Sequence, residues 1–319
     1  MSEVRTNHDI EDVKIAFELL LDNFSKLSEK VRPRTKISST KLGKIKKDLN
    51  NLNNLKKETL AKIIEITTKY NSINEIFSRD VDYNELDLFK LLEGTANPET
   101  ESNEKYNDFF FEFSMACRFL RALQKGNEKV KINLAGECDI IVDEVLAVEC
   151  KYIHSQSGIV ENISKADSQI ATRIANGQAK FGFVAVDLSN LIPRKKIEDF
   201  VEFTLHKFVE SYAKLEAKKL ISGNLVEHIL LDKNFSKIVG LYSTFEIESI
   251  LHEELGFSYK FGNGTMAILL QSINTFIFEY RDQVMPISTR GMTYITNPNL
   301  SQKNAANVKQ FIHALAVGV

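Results

Sequence analysis

Gly136-Glu137-Cys138-Asp139-Ile140-Ile141-Val142-Asp143-Glu144-Val145-Leu146-Ala147-Val148-Glu149-Cys150-Lys151 is the stretch on which the reading of this chain turns. Two apolar runs, 138–142 and 145–152, flank Asp143-Glu144, the pattern of two strands joined by a tight turn. Strand side chains alternate faces, so Glu149 and Lys151 project together, while Val148 and Cys150 project oppositely. Asp139 opens the neighbouring strand. Two carboxylates and one ammonium thus converge at one end of the hairpin.

The segments around this hairpin extend the pattern. Residues 105–125 read as a helix stopped by Gly126, and Val130, Ile132 and Leu134 alternate as a strand. After the hairpin come a helix over about 161–176 and a strand over Phe181–Leu188. The order is α-β-β-β-α-β. Further on, the pattern predicts a long helix over about 194–221, strands near 237–243 and 266–278, and a helix over about 302–316. Upstream, Ile10, Val13, Phe17, Leu20, Phe24, Leu27 and Val31 form a heptad seam that ends at Arg32-Pro33-Arg34. Ser38-Ser39-Thr40 can cap a second helix carrying Leu42, Ile45, Leu49 and Leu52, and a short helix from Asp82 to Glu93 stops at Gly94. Residues 1–95 are therefore expected to form a helical arm, either a projecting dimerisation element or a subdomain packed on the body. The polar stretch Gly94–Glu104 is the expected boundary to a second unit, 96–319.

Composition bounds the function. The chain has 319 residues, 43% hydrophobic and 26% charged, enough for a packed core and against wholesale disorder. Its net charge of −2 excludes a polycation, so any nucleic-acid role rests on a local basic face. One such stretch is Lys30, Arg32, Arg34, Lys36, Lys41, Lys44, Lys46, Lys47, Lys56 and Lys57, opposed within the stretch only by Asp48. It serves either as a phosphate-facing surface, with Arg32, Arg34, Lys44 and Lys47 as contacts, or as a solvated helix face. Three cysteines, a polar acidic start and no apolar run of membrane-spanning length predict a soluble cytoplasmic protein with no membrane association.

Two carboxylates brought together are costly unless a cation compensates them, and hard oxygen ligands suit Mg²⁺ or Mn²⁺. A metal there polarises a phosphoryl oxygen and activates water, while Lys151 positions that water or stabilises developing charge. The acid-x-Lys tripeptide also occurs at Asp12–Lys14 and Glu216–Lys218, but in helix-period segments, where residues two apart do not share a face. Cys138, Cys150 and His154 lack a fourth ligand at finger-like spacing, so they do not read as a zinc site.

Asp139, the ten-residue step to Glu149, and Lys151, within the α-β-β-β-α-β order of about 105–188, resemble the PD-(D/E)xK nuclease superfamily. The resemblance covers about a quarter of the chain, and Cys138 stands where that family usually has proline. It implies an α/β (α+β) fold with a restriction-endonuclease-like core, an N-terminal helical arm and a C-terminal α/β extension. It implies Asp139, Glu149 and the Cys150 backbone carbonyl as metal ligands and Lys151 as the catalytic lysine. Glu112, on the apolar face of the preceding helix with Phe109, Ala116 and Leu120, is similar to a glutamate many relatives place there. It joins the metal site or pairs with Arg118 or Arg121. Gln169 is similar to a glutamine used beside the active site in several branches. Lys165 and Arg173, on the same polar stripe, either hold the substrate backbone or form a solvated surface. The expectation is a Mg²⁺-dependent nuclease, endonuclease and DNA-directed by preference, dimeric through its N-terminal helices, with restriction or phage defence as the role the resemblance suggests. The alternatives are a non-catalytic module binding nucleic acid or protein on the same fold, and an interaction protein organised around the helical arm.

Overall fold

The computed structural model describes residues 3–5, 10–52, 55–79, 81–123, 130–136, 138–256, 259–280 and 283–317. The expected helix stop at Gly126 lies outside them. The elements run β1 (Glu3–Arg5), α1 (Ile10–Val31), α2 (Lys41–Leu49), α3 (Lys57–Asn71), β2 (Val81–Asp82) and α4 (Glu85–Lys90). Then follow α5 (Tyr106–Leu123), β3 (Ile132–Asn133), β4 (Ile140–Val142), β5 (Leu146–Tyr152), α6 (Ile159–Ala175) and β6 (Phe181–Asp187). The chain continues through α7 (Arg194–Ala217), α8 (Leu225–Leu230), α9 (Lys233–Leu255), β7 (Thr265–Tyr280), β8 (Gln283–Thr296) and α10 (Gln302–Val317).

The strands form one mixed α/β sheet of eight in the order β1-β8-β7-β6-β5-β4-β3-β2. Strands β5, β6 and β7 are parallel, β4 is antiparallel to β5, and β8 is antiparallel to β7. One hydrophobic cluster joins α1–α5 and α10 to one face of the sheet through Val148, Cys150, Phe183 and Leu269. A second joins α6–α9 to the other face through Val184, Val186, Ile268 and Leu270. Strand β5 is buried on both faces, which is why its sequence reads as a nearly continuous apolar run. The turn that feeds it is tight: Asp143 and Glu144 both adopt positive φ, at 51° and 58°. The Asp143 carboxylate accepts from the Lys131 amide at 2.8 Å, a local bond that supports the left-handed conformation.

The N-terminal helices do not project. Phe17, Leu20, Phe24 and Leu27 are buried in the same cluster as α3, α4, α5 and the sheet, so the heptad seam is covered within the chain. The seam expected as a dimerisation element is thus occupied by the chain's own core. The stretch 94–104 is likewise docked: Glu101 is buried and Glu104 nearly so. Their carboxylates meet the buried Lys41 ammonium at 3.7 and 3.2 Å. Gly94 permits this at a φ of 98°, because a Cβ there would stand 2.3 Å from Glu104 Oε2. Thr40 caps α2 by accepting from the Gly43 amide. Thr40→Ala is expected to lower stability by about 1 kcal/mol, read as a lower urea midpoint at unchanged m-value. An unshifted midpoint would show that the cap carries no stability.

Several segments differ from the sequence-based expectation: β1, β2 and α8 were not expected, the helix expected from Asp82 to Glu93 spans only Glu85–Lys90 with Asp82 in β2, and two differences are larger. Residues 237–243, expected as a strand, lie inside α9. Asp232 caps that helix, and Phe235, Val239, Ser243, Ile247 and Ile250 bury one stripe against the sheet. Apolar residues also occupy the helix's exposed side (Ile238, Leu241, Phe245), and this masks the helical period. Strand β8, absent from the expectation, pairs with β7 along nearly its whole length. Among the described residues, no helix is long and apolar enough to cross a membrane.

Candidate active site

The site forms where β4 stops. Ile140 faces Val148, so the ladder to β5 ends one residue short of Asp139 and Glu149. The β5 edge from Glu149 onward is left open on that side. Asp139 closes part of the gap: its Oδ2 accepts the Cys150 amide at 2.6 Å, in place of a strand partner. Lys151 then lies between the two acids. Its Nζ is 3.7 Å from Asp139 Oδ2 and 3.9 Å from Glu149 Oε2. The three side chains converge.

Asp139 and Lys151 line a cleft of about 410 Å³ walled by α5, β5 and α6, while Glu149 lies buried behind Lys151, outside its lining. Glu112 and Asp108 enter it from α5, one helical turn apart, and Lys165 and Asn162 enter from α6. His154, just beyond β5, also lines it, with Nε2 3.1 Å from Asp108 Oδ1. Asp108, His154 and Asn162 were not expected from sequence. The one available signal was that Asp108 precedes Glu112 by four residues and so shares its helix face.

The electrostatics are those of an acid-rich site short of positive charge. Burial first, and then the Asp139 charge, pushes the Glu149 carboxyl up to about 7. The same two causes, in the same order, push Glu112 up to about 9. Asp108 is raised as well, chiefly by burial. Glu149 is fully buried, and its Oε2 has no hydrogen-bond partner among the described residues. The thiols of Cys138 and Cys150 are held up by burial, which suits small buried apolar groups rather than zinc thiolates.

Comparisons with models of known protein families, with curated proteins and with solved structures found no match for this chain. Among the described residues, no three His, Cys, Asp or Glu groups already surround a common point as ion ligands would. The donor set nonetheless fits a hard divalent cation. It is carboxylate and carbonyl oxygen throughout, Glu149 and Glu112 are raised by burial and then by the Asp139 charge, and a buried carboxylate oxygen with no hydrogen-bond partner among the described residues faces an ammonium that partly compensates it.

Not every expected site residue joins the cleft. Lys165 is exposed along its wall. Gln169 sits one turn farther along α6, half-buried, outside the cleft lining, with its Oε1 buried and without a hydrogen-bond partner among the described residues. Arg173, expected to hold the substrate backbone, is instead buried. Its Nε is 3.4 Å from Glu149 Oε1, so it supports the acid from behind. The register of α6 on the sheet decides this, since it turns residue 173 inward while 165 stays outside. Glu112 does not pair with Arg121, which instead bonds Glu75 at 3.0 Å and the Ser72 carbonyl.

The basic stretch is also less uniform than its sequence. Lys41 is buried. Lys30, Arg32 and Lys46 pair with Glu85, Glu93 and Glu18, acids remote in sequence. Arg32 also lies over the Phe89 ring, so this expected nucleic-acid contact is already engaged. Arg34, Lys44 and Lys47 are exposed and, among the described residues, make no ion pair.

Proposed function

We propose that this chain is a metal-dependent nuclease with a restriction-endonuclease-like core spanning α5 to β6. The observation that carries the reading is the Lys151 ammonium held between Asp139 and Glu149 at an open strand edge, where Asp139 and Lys151 line a cleft of about 410 Å³. Asp139, Glu149, Glu112 and the Cys150 carbonyl would hold Mg²⁺ or Mn²⁺. Bound there, the ion supplies a water of lowered pKa and a Lewis acid for the phosphoryl oxygen.

The chain's own groups do the remaining work. Asp139 satisfies the β5 edge where β4 stops by taking the Cys150 amide. Lys151 places a positive charge where negative charge grows on phosphorus during attack, a stabilisation that acts most strongly in a partly buried cleft. Arg173 fixes the Glu149 carboxylate from the side away from solvent. Lys165, exposed on the cleft wall, meets the substrate's phosphate backbone.

The test is incubation of the pure protein with plasmid, linear DNA and RNA, each with Mg²⁺, with Mn²⁺ and with EDTA. Cleavage that requires the metal supports the proposal, and DNA is the expected substrate. Retention of nucleic acid with no cleavage under any metal would replace it with the binding-module reading. That reading draws support from the ammonium already lying between the acids.

Sequence-independent contacts are assigned to Lys44 and Lys47 on α2. Replacing both by alanine is expected to weaken DNA binding uniformly across sequences. The slope of log affinity against log salt should become shallower by about two. An unchanged slope would move the phosphate-facing surface elsewhere.

A further inference from the structure

A second cavity lies on the other side of Tyr152 from the catalytic cleft, and its origin is topological. Strand β6 ends at Asp187, opposite Gln271, while β7 runs on to Tyr280. Side chains replace the missing strand along that edge. Ser189 Oγ accepts the Ile273 amide and Glu65 Oε2 accepts the Thr275 amide, both at 2.8 Å, while Arg194 donates to the Thr275 carbonyl. These substitutes do not fill the space. A cavity of about 150 Å³ remains at the carboxyl ends of β5 and β6, the position where open parallel sheets take ligands.

The wall chemistry narrows the ligand. The cationic groups lining the cavity are matched by acids of the same wall: Lys62 and Arg194 share Glu65, at 3.2 and 2.5 Å, Lys69 is 3.1 Å from Glu101, and Asp187 supplies the third negative charge. The cavity therefore offers no net charge for a phosphate. What is unmet is neutral hydrogen bonding. Asn274 lines the cavity at 3% exposure, and its Nδ2 has no hydrogen-bond partner among the described residues. An acceptor is needed there. The Asp187 carboxylate accepts from Ser189 and Gln271 and keeps further lone pairs for a donor. Tyr152 and Phe110 supply aromatic wall. A small, flat, neutral ring with donors and acceptors on its edge matches this set, and the volume is below the ~300 Å³ typical of pockets for larger ligands.

We propose that this cavity binds a single nucleobase. The proposal rests on the nuclease reading for its expected source, a base of the substrate strand beside the cleaved phosphate. Two features couple the sites: Tyr152 lines both, and Asn190, in the cavity wall, donates to the backbone carbonyl of His154 in the cleft wall. A base drawn out of a strand and seated against aromatic side chains is recognised along its edge, as in enzymes that unstack their target.

The experiment has two arms, both run in EDTA so that neither needs cleavage. In the first, each of the four 2′-deoxynucleosides is titrated into the full chain and followed by saturation-transfer NMR. In the second, the Lys151→Ala chain binds an oligonucleotide by fluorescence anisotropy, with a single abasic position moved along the strand. Asn274→Leu, close to isosteric, replaces the amide by an apolar group, and Asn274→Asp removes the donor while preserving shape should the leucine variant not fold. The expected result is nucleoside binding weakened at least tenfold by either variant, with one abasic position costing the oligonucleotide about tenfold in affinity. Nucleoside binding with no sensitive abasic position would keep the nucleobase site but make its ligand a free nucleotide. Absence of both effects would overturn the proposal and leave a water-filled crevice. Loss of metal-dependent cleavage by the unaltered chain would defeat the nuclease reading alone, since neither arm measures it.

Discussion

Lys151→Ala is expected to reduce metal-dependent cleavage by roughly 10²–10³-fold, the range found when one preorganised charge or donor is removed from a reacting centre. The side chain is mostly buried, and its Nζ lies within 4 Å of Asp139 and Glu149, so solvent offers no equivalent replacement. Asp139→Asn is the companion variant. An asparagine oxygen can still accept the Cys150 amide, so the strand edge keeps its support while the anionic ligand disappears. Both chains should fold, as judged by circular dichroism and thermal midpoint, and both should fail to cut plasmid that the unaltered chain cuts. Undiminished cleavage by either would remove the site from the mechanism.

The second large effect is on stability in the absence of metal. Glu149 is raised to about 7 and Glu112 to about 9, in each case by burial and then by Asp139. A carboxyl raised on folding keeps its proton in the folded chain at pH values where the unfolded chain releases it. Its contribution to stability is therefore greatest below the unfolded value and is lost as pH rises through the folded one. For Glu149 that window runs from about pH 4.5 to about 7, and the loss is on the order of 3 kcal/mol. Glu112 extends the decline toward about pH 9. In EDTA the thermal midpoint should fall steadily between about pH 5 and 9, and millimolar Mg²⁺ should restore much of it near pH 8. Glu149→Gln should flatten the decline and blunt the response to Mg²⁺. A midpoint in EDTA that does not fall with pH would show that these acids are compensated by some other means.

Much of this architecture is local, and local patterns are legible in a sequence. The seam from Ile10 to Val31, the Thr40 cap and the α-β-β-β-α-β order all depend on side-chain period or turn chemistry over a few residues; the expected stop at Gly94 did not hold, since α4 already ends at Lys90. The convergence of Asp139, Glu149 and Lys151 was legible for the same reason. A tight turn fixes how two adjacent strands pair, and alternation fixes which face each residue takes.

Other features were beyond local pattern. The helix α9 carries apolar residues on its buried and exposed sides alike, so its period was weak and a β-branched run within it read as a strand. The partners of the basic stretch lie up to 63 residues away, at Glu104 for Lys41, and only folding makes them neighbours. Arg173 faces Glu149 because of how α6 seats on the sheet, and His154 meets Asp108 because α5 packs over the end of β5.

What the amino-acid order alone determined was the α-β-β-β-α-β run from α5 to β6 and the acid-acid-lysine hairpin within it, since backbone sterics and side-chain alternation act between near neighbours. Only the tertiary structure decided which charges are buried, which are paired, and where a cavity remains beyond the end of β6. Those outcomes depend on which distant surfaces exclude water from one another, and no short stretch of sequence encodes that.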